Sequence, residues 1–300
     1  PFANNAAVNV SNLVISKTGF SFDNATAVVP SFSLGGFLAI TGVTVSVDNF
    51  SYTKGSPSAT VAGTITVGAT GGSLTVGTLV SASLSDSGDA DDKAVSGTYD
   101  IATRAFALTV DTAALTVTDF ITASLTGVSV SYAEAGAADQ ELVNIASANV
   151  TVIPLSAAVT ANGLKIRKNG FSLDSASATL ANLNLGGLLT ITAPALTATN
   201  VNYTVGGTLT GLLTLTTNGA SVSLGSALTI TILDSADADA FALTGGYNLA
   251  TKVYELQFDA ISASVLNFAT LTATGVAVRY DPNASGTSKL VIGATGVAGS

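Results

Sequence analysis

The chain has 300 residues, a net charge of −9 at pH 7, and only 10% charged residues. It contains no Cys and no His, which excludes disulfides, thiol nucleophiles, Cys-type zinc sites and the commonest general base. The excess of acidic over basic residues argues against nucleic acid as a partner, because nucleic-acid phosphates need cationic contacts.

Apolar and small polar residues alternate along nearly the whole chain. This period of two places apolar residues, many of them β-branched, on one side and Thr or Ser on the other. It predicts strands with one buried face. The clearest predicted strands are Leu38–Val47, Thr64–Val67, Ser73–Val76, Phe106–Val110, Val128–Tyr132 and Leu196–Tyr203. The mean hydropathy is +0.55, yet no apolar run approaches the roughly 18–20 residues of a membrane helix. The sequence therefore predicts an all-β chain with no membrane span.

Turn signals separate these runs about every dozen residues. They include Gly71-Gly72, the stretch from Asp86 to Asp92, Asn169-Gly170 and Asn218-Gly219. The best helical candidate, residues 133–139, contains Gly136 and is expected to be short or loop-like. Such spacing suits antiparallel hairpins, since parallel strands need long crossover connections.

The sequence also repeats itself. Lys17-Thr-Gly-Phe-Ser-Phe-Asp23 recurs 151 residues later as Lys168-Asn-Gly-Phe-Ser-Leu-Asp174. Gly97-Thr-Tyr-Asp-Ile-Ala-Thr-Arg104 recurs 148 residues later as Gly245-Gly-Tyr-Asn-Leu-Ala-Thr-Lys252. The three lost residues fall near Lys54–Ser58, which indicates a loop because loops tolerate length changes. A period this long indicates that a whole domain was duplicated.

The duplication predicts two tandem antiparallel β domains, residues 1–153 and 154–300, each with about eight to ten strands. The apolar junction near Pro154 suggests that the copies are stacked end to end, as an excerpt of a longer array. Two closures stay open: a β-sandwich, or an elongated β-roll or solenoid-like form. Four phenylalanines at matching positions are expected to anchor the cores: Phe20, Phe120, Phe171 and Phe268.

An acidic turn recurs in both copies and is the strongest candidate site. The pattern Asp-Ser-x-Asp-x-Asp places carboxylates at Asp86, Asp89, Asp91, Asp234, Asp237 and Asp239. Dense carboxylates repel one another unless they are solvated or bridged by a hard cation, and Ca²⁺ takes six to eight oxygen ligands. The sequence thus predicts a calcium site in each copy. The alternative is a solvated acidic hairpin that keeps a sheet edge from pairing with strands of other protein molecules.

In composition, period and Asp-rich turns the chain resembles the tandem β-repeats of very large bacterial surface proteins, the adhesin-like giants. The resemblance covers both copies from about Ala7 onward. It implies an extracellular or cell-surface location and a structural or adhesive role in a fibre, often stiffened by calcium. It also implies homotypic partners, joined laterally or end to end.

Three classes of function remain in order of preference. The first is a non-catalytic structural or adhesive module. The second is a binding module for carbohydrate or lipid, which would use a groove or the loop tips; sparse aromatics count against a glycan platform. An enzyme is the least favoured, because without His a Ser-based triad cannot be assembled.

Overall fold

The structure is a computed structural model that describes residues 7–34, 38–55, 58–76, 80–119, 121–152, 157–180, 182–185, 189–224, 227–235, 240–266, 268–285 and 289–299. In these ranges the chain is almost entirely strand, and every strand pair whose register is resolved is antiparallel. The predicted all-β, antiparallel fold class is therefore confirmed. The candidate helix at 133–139 is a pair of turns, in keeping with Gly136. Among the described residues no helix is long and apolar enough to cross a membrane.

The first half of the chain contains eleven strands within the described ranges. They are β1 (Ala7–Ser11), β2 (Val14–Ser16), β3 (Gly19–Leu34), β4 (Leu38–Thr53), β5 (Thr60–Ala69), β6 (Gly71–Val76), β7 (Val80–Ser85), β8 (Val95–Asp100), β9 (Ala105–Val117), β10 (Ile121–Tyr132) and β11 (Glu141–Val152).

The second half contains thirteen. They are β12 (Ala157–Arg167), β13 (Gly170–Thr179), β14 (Leu183–Leu185), β15 (Leu189–Thr192), β16 (Ala195–Thr204), β17 (Thr210–Thr217), β18 (Gly219–Leu224), β19 (Leu228–Leu233), β20 (Leu243–Asn248), β21 (Tyr254–Val265), β22 (Ala269–Tyr280), β23 (Leu290–Gly293) and β24 (Gly296–Gly299).

The chain divides into two compact units. Unit 1 comprises residues 1–150 together with Gly163–Phe171, and unit 2 comprises Thr151–Asn162 together with residues 172–300. A short piece of the second sequence copy therefore packs with the first unit. The sequence boundary between residues 153 and 154 stays a prediction.

In unit 1 the long strand β3 pairs with β1 and β2 on one side and with β4 on the other. β4 then pairs with both β5 and β6, which lie end to end along it. β5 pairs with β8 and β6 with β7, and both β7 and β8 pair with β9. β9 finally pairs with β10. The middle of this sheet is thus built from half-length strands that meet at a midline.

Unit 2 repeats the same order of pairing. β16 and β15 pair with β17 and β18, which pair in turn with β20 and β19. Both β19 and β20 pair with β21, and β21 pairs with β22. The strand that is continuous as β4 is divided into β15 and β16 here, at Pro194, because proline cannot donate a ladder hydrogen bond.

The duplication is visible in the backbone angles as well as in the residues. Left-handed residues occur at equivalent places in the two copies. The φ values are 51° at both Asn49 and Asn200, and 54° and 62° at Arg104 and Lys252. Gly127 and Gly275 have φ values of 59° and 57°. Equivalent sequences therefore bend the chain in the same way at the same strand positions.

The buried residues that the structure describes are small and lie at the midline. Ala94 and Ala242 are fully buried at equivalent positions, and Thr217 is nearly so. The Thr217 hydroxyl donates to the carbonyl oxygen of Thr192 at 2.6 Å, which satisfies it in the interior. These side chains have little volume, so strands can approach closely at the midline.

The prediction that phenylalanines anchor the cores is wrong where the structure describes them. Phe20 is 41% exposed, Phe171 is 37% exposed and Phe268 is 91% exposed, whereas Phe120 lies outside the described residues. Aromatic rings instead stack on one another along an open sheet face, as Phe20 does on Phe50 at 5.4 Å. Cross-strand pairing can thus partner aromatic side chains without burying them.

One predicted turn is also wrong. Gly71 and Gly72 lie inside β6, and the chain breaks at Thr70 instead. Gly71 and Gly72 pair with Thr41 and Ile40 of β4, and a Cβ on Gly71 would lie 3.2 Å from the Thr41 hydroxyl oxygen. These glycines therefore fit a close approach of strands and do not reverse the chain.

Candidate cation site in the acidic turn

The acidic turn of the first copy occupies residues 86–94, between the end of β7 and the start of β8. β7 and β8 lie end to end along β9, so the turn that joins them leaves the sheet at its midline. The predicted turn from Asp86 to Asp92 is thus confirmed, and the strand order fixes where its carboxylates lie.

A fourth carboxylate reaches the turn from β9. β9 pairs with β8 through residues 105–110 and with β7 through residues 112–117, which leaves Asp111 opposite the gap between them. The Asp111 amide donates to the carbonyl oxygen of Ala94 at 3.1 Å. The residue is therefore held beside the acidic turn although it lies 17 residues beyond the end of that turn in the chain.

Asp86, Asp89, Asp91 and Asp111 each place one carboxylate oxygen within 4.8 Å of the other three. Asp89 and Asp91 are exposed, whereas Asp86 and Asp111 are half-buried. The structure thus brings together all three carboxylates predicted for this copy and adds one. Like charges at this separation favour the binding of a cation or strong solvation.

Hydrogen bonds hold the carboxylates in place. The backbone amides of Asp91 and Lys93 donate to Oδ1 of Asp89 and Asp91, at 2.9 and 2.8 Å. The Ser87 hydroxyl and amide donate to Asp111 Oδ2, at 3.0 and 3.4 Å. Each of these contacts engages one oxygen of its carboxylate, so none of them occupies the second oxygen.

Asp86 supplies the clearest sign that a group could be held here. Its Oδ1 atom is buried and has no hydrogen-bond partner among the described residues. A buried carboxylate oxygen without a donor is costly unless a cation or proton compensates it. The donor set consists entirely of hard carboxylate oxygens, which is the chemistry that Ca²⁺ prefers. The residues present therefore fit a calcium ion.

In the second copy, Asp259 makes the same contacts as Asp111 does in the first. Asp259 lies on β21 between the segments that pair with β20 and β19. The Ser235 hydroxyl donates to Asp259 Oδ2 at 3.2 Å, and the Asp259 amide donates to the carbonyl oxygen of Ala242 at 3.1 Å. Asp234 is exposed beside them, whereas Asp237 and Asp239 lie outside the described residues.

Sequence reasoning missed Asp111 and Asp259 as members of the site. A signal was present, because both copies keep an aspartate at the middle of a mostly apolar strand. Connecting that signal to the turn requires the strand order, which places the middle of β9 opposite the β7–β8 junction.

A second repeated feature is an apolar groove on the sheet face. In unit 1 it has a volume of about 280 Å³ around Gly97, lined by Val67, Tyr99, Phe106 and Leu108. In unit 2 the equivalent groove has about 260 Å³ around Gly245, lined by Leu215, Tyr247, Tyr254 and Leu256. A glycine between large apolar side chains leaves the space that forms each groove.

Away from the acidic turn, two carboxyls of the described residues have a lowered pKa. The Thr103 amide and hydroxyl both donate to Asp100 Oδ1 at 2.7 Å in the β8–β9 hairpin, and these bonds lower the pKa of Asp100. Asp281, the residue after β22, accepts a hydrogen bond from the Asn283 backbone amide, which lowers its pKa. Arg279 also binds Asp281 and lowers this pKa further. Asp100 ends β8 and Asp281 follows β22, so both groups hold the chain beside a turn.

No protein-family model and no curated protein matches this chain.

Proposed function

We propose that the chain is a non-catalytic structural or adhesive repeat module of an extracellular surface protein or fibre. One observation carries this proposal: the chain builds the same strand arrangement twice, with left-handed residues at equivalent positions. Repetition of a whole unit supplies length and multiplies surfaces, whereas a catalytic centre needs only one copy. The extracellular location rests on the composition and on the resemblance to surface repeats.

We further propose that the two copies stack end to end as an elongated, roll-like form. What supports this proposal is the duplication of the whole strand arrangement, together with the short apolar junction near Pro154.

Small-angle X-ray scattering tests the stiffness that this function requires. We expect the scattering, once extrapolated to zero protein concentration, to fit one rigid rod-like particle. A variant with a flexible Gly-Ser segment inserted after Leu155 is the matched control and should scatter as two hinged bodies. Hinged behaviour of the natural chain would remove the proposal.

Calcium is proposed as the stiffening ion, bound by Asp86, Asp89, Asp91 and Asp111. Asp234, Asp237, Asp239 and Asp259 are proposed for the second copy. The supporting facts are the cluster of carboxylate oxygens and the unpartnered Asp86 Oδ1. A bound ion would tie the turn to β9 across the gap between β7 and β8, and so stabilise the midline.

Thermal unfolding with and without calcium tests this site. At Ca²⁺ tenfold above the dissociation constant, binding should stabilise the folded chain by about 1.4 kcal/mol per site. Asp111→Asn should remove the stabilisation that the first site contributes. The side-chain oxygen of the asparagine can still accept the Ser87 hydrogen bonds, but the negative charge is lost. Asp119→Asn, an exposed change at the β9–β10 turn, is the control. Identical melts in millimolar Ca²⁺ and in EDTA would contradict calcium binding.

The alternative function is binding of carbohydrate or lipid, and the grooves around Gly97 and Gly245 favour its lipid form. Their linings are mostly aliphatic and aromatic side chains and include no charged residue. Titration calorimetry with decanoate below its micelle concentration tests this function. Gly97→Leu with Gly245→Leu should fill both grooves and abolish any heat of binding. Unchanged binding by that variant would place the ligand elsewhere.

A further inference from the structure

A polar cleft of about 410 Å³ lies on one face of unit 2. Residues of β17, β20, β21 and β22, and of the turns after β20 and β22, form its lining. Each of these four strands pairs with described strands on both sides. The cleft therefore lies within the sheet and involves neither of its edges. Its volume falls in the range of about 300–1,000 Å³ that is typical of small-molecule sites.

A glycine opens this cleft. The strand register places Gly246, Glu255 and Arg279 side by side on three neighbouring strands. A Cβ on Gly246 would come no closer than 4.0 Å, at Leu212 Cδ1, to any described atom beyond its chain neighbours. Leu212 and Val253 also line the cleft. Two aliphatic side chains therefore supply an apolar part of a lining that is otherwise polar.

Arg279 is held in the cleft between two carboxylates. Its Nε donates to Glu255 Oε1 at 2.9 Å, and its Nη2 donates to Asp281 Oδ2 at 3.0 Å. The Asn283 amide donates to Asp281 Oδ1 at 2.9 Å, and Asn283 Nδ2 donates to the Thr251 carbonyl oxygen at 2.6 Å. These bonds join β21, β22 and both turns, so the polar groups are arranged before any ligand arrives.

The same bonds do not use every polar atom of the cleft. The bond to Glu255 engages Oε1 and not Oε2, and the two bonds from Arg279 engage Nε and Nη2 and not Nη1. Asn248 accepts the Ala250 and Thr251 amides through Oδ1, which does not involve its Nδ2 group. The network thus leaves out one carboxylate oxygen and two N–H donor groups.

The residues of the cleft differ from their equivalents in the first copy, 148 residues earlier. Four charged or amide side chains stand where the first copy has Ala or Ser, and one glycine stands where it has Thr. The pairs are Ala107 and Glu255, Ser131 and Arg279, Ala133 and Asp281, Ala135 and Asn283, and Thr98 and Gly246. The first copy pairs the equivalent strands without these side chains, so the fold does not require them.

The charges of the cleft select the kind of ligand. An anion would meet the carboxylates of Glu255 and Asp281, and a divalent cation would meet the guanidinium of Arg279 between them. A neutral molecule with neighbouring hydroxyls suits both kinds of group, because each hydroxyl can donate to a carboxylate and accept from an N–H. Leu212 and Val253 fit the apolar C–H face of a ring. A sugar ring combines these two properties.

We propose that this cleft binds a neutral pyranose sugar. One hydroxyl of the sugar donates to Glu255 Oε2, and a neighbouring hydroxyl accepts from Arg279 Nη1 or Asn248 Nδ2. The C–H face of the ring packs on Leu212 and Val253. This inference rests on the alternative function, binding, and gives its carbohydrate form a site.

Nuclear magnetic resonance of the arginine Nε–H groups tests this site. Arg279→Lys identifies the Arg279 signal by its loss. D-glucose, D-galactose, D-mannose and N-acetyl-D-glucosamine are each titrated to about 50 mM, and at least one should shift this signal saturably, with a dissociation constant of about 1–10 mM. Tetrahydropyran, which has the ring without the hydroxyls, should give no saturable shift. The absence of a saturable shift with all four sugars would overturn the proposal.

Two variants that introduce first-copy residues locate the sugar. Gly246→Thr fills the cleft from a position with room for a Cβ, and Glu255→Ala removes a charged acceptor; each should raise the dissociation constant about tenfold. Glu134→Ala is the matched control, since it breaks the exposed Arg104–Glu134 pair of unit 1 and should leave the constant unchanged. Circular dichroism melts establish that each variant is folded. Unchanged binding in both cleft variants would overturn the site.

The outcome is separable from the binding function on which it rests. A chain that binds none of the four sugars but still binds decanoate would remove the carbohydrate site and leave the lipid form of the function. A chain that binds a sugar through Glu255 but not decanoate would keep the cleft and remove the lipid form.

Discussion

The midline of β4 and its equivalent in unit 2 show the same backbone built with different residues. Gly42 has a φ of 60°, and the equivalent residue in the second copy, Ala193, has a φ of 46°. Glycine adopts this left-handed conformation freely, whereas alanine is strained in it by about 1–2 kcal/mol. The surrounding strand pairing therefore imposes the bend even where the local residue opposes it.

The two sites also differ in what surrounds them. At Gly42 a Cβ would overlap the Thr70 side chain, whose hydroxyl donates to the Thr41 carbonyl oxygen at 3.2 Å. In the second copy Asn218 stands in place of Thr70, and its backbone N–H donates to the Thr192 carbonyl oxygen at 3.2 Å. Gly42 thus lies against Thr70, a neighbour branched at its Cβ, whereas the equivalent residue of the second copy, Asn218, is unbranched there.

The largest effect is expected for Gly42→Ala. The added methyl group adds left-handed strain and collides with Thr70, so the free energy of unfolding should fall by about 2–3 kcal/mol. Urea denaturation in EDTA measures it. Gly88→Ala is the control, because Gly88 also has a positive φ of 83° but nothing within 4 Å of its Cβ position. An equal loss in both variants would mean that crowding contributes nothing.

A smaller and opposite effect is expected for Ala193→Gly. Glycine relieves the strain at φ 46° but makes the unfolded chain more flexible, so a net stabilisation of about 0.5–1 kcal/mol should remain. Ala198→Gly, in the interior of β16, should destabilise instead. Loss of stability in Ala193→Gly would show that the methyl group makes contacts that outweigh its strain.

The smallest effect concerns the β8–β9 and β20–β21 hairpins, where Asp100 is matched by Asn248. Since the folded pKa of Asp100 is lowered, its ionised form stabilises the hairpin fully above the unfolded pKa of about 3.9. That contribution is lost as the pH falls through the folded pKa. Asn248 accepts the Ala250 and Thr251 amides at 3.0 Å without titrating.

Amide hydrogen exchange in each hairpin, followed between about pH 5 and pH 2, tests this difference. Protection of the first hairpin should weaken on acidification relative to the second. Asp100→Asn should make the first hairpin as insensitive to acid as the second, and Asn248→Asp should make the second sensitive. Equal acid sensitivity of the natural hairpins would contradict the assignment to Asp100.

Much of the fold could be predicted because its signals are local. Alternation of apolar and polar residues indicates strands wherever it occurs, and the turn from Asp86 to Asp92 follows from its composition. The errors arose where a local pattern had two structural meanings. Gly71-Gly72 suits a turn or a close approach of strands, and the pairing with β4 decided for the approach.

The residues of the candidate site also differ in whether local sequence could predict them. Asp86, Asp89 and Asp91 are close in sequence, so their proximity in space follows from one turn. Asp111 joins them only because β7 and β8 lie end to end along β9. The exposed phenylalanines were missed for a related reason: hydrophobicity shows that a side chain favours burial, but not whether another layer covers it.

By itself the sequence determined the strands, their antiparallel class, the duplication and the acidic turns, because each depends on periodicity, composition or internal comparison. Only the tertiary structure decided that Asp111 completes the carboxylate cluster, that residues 163–171 pack with unit 1, and that small residues occupy the midline. These facts depend on which strands pair and in what register. Such pairing joins residues far apart in the chain, and no local pattern of residues specifies it.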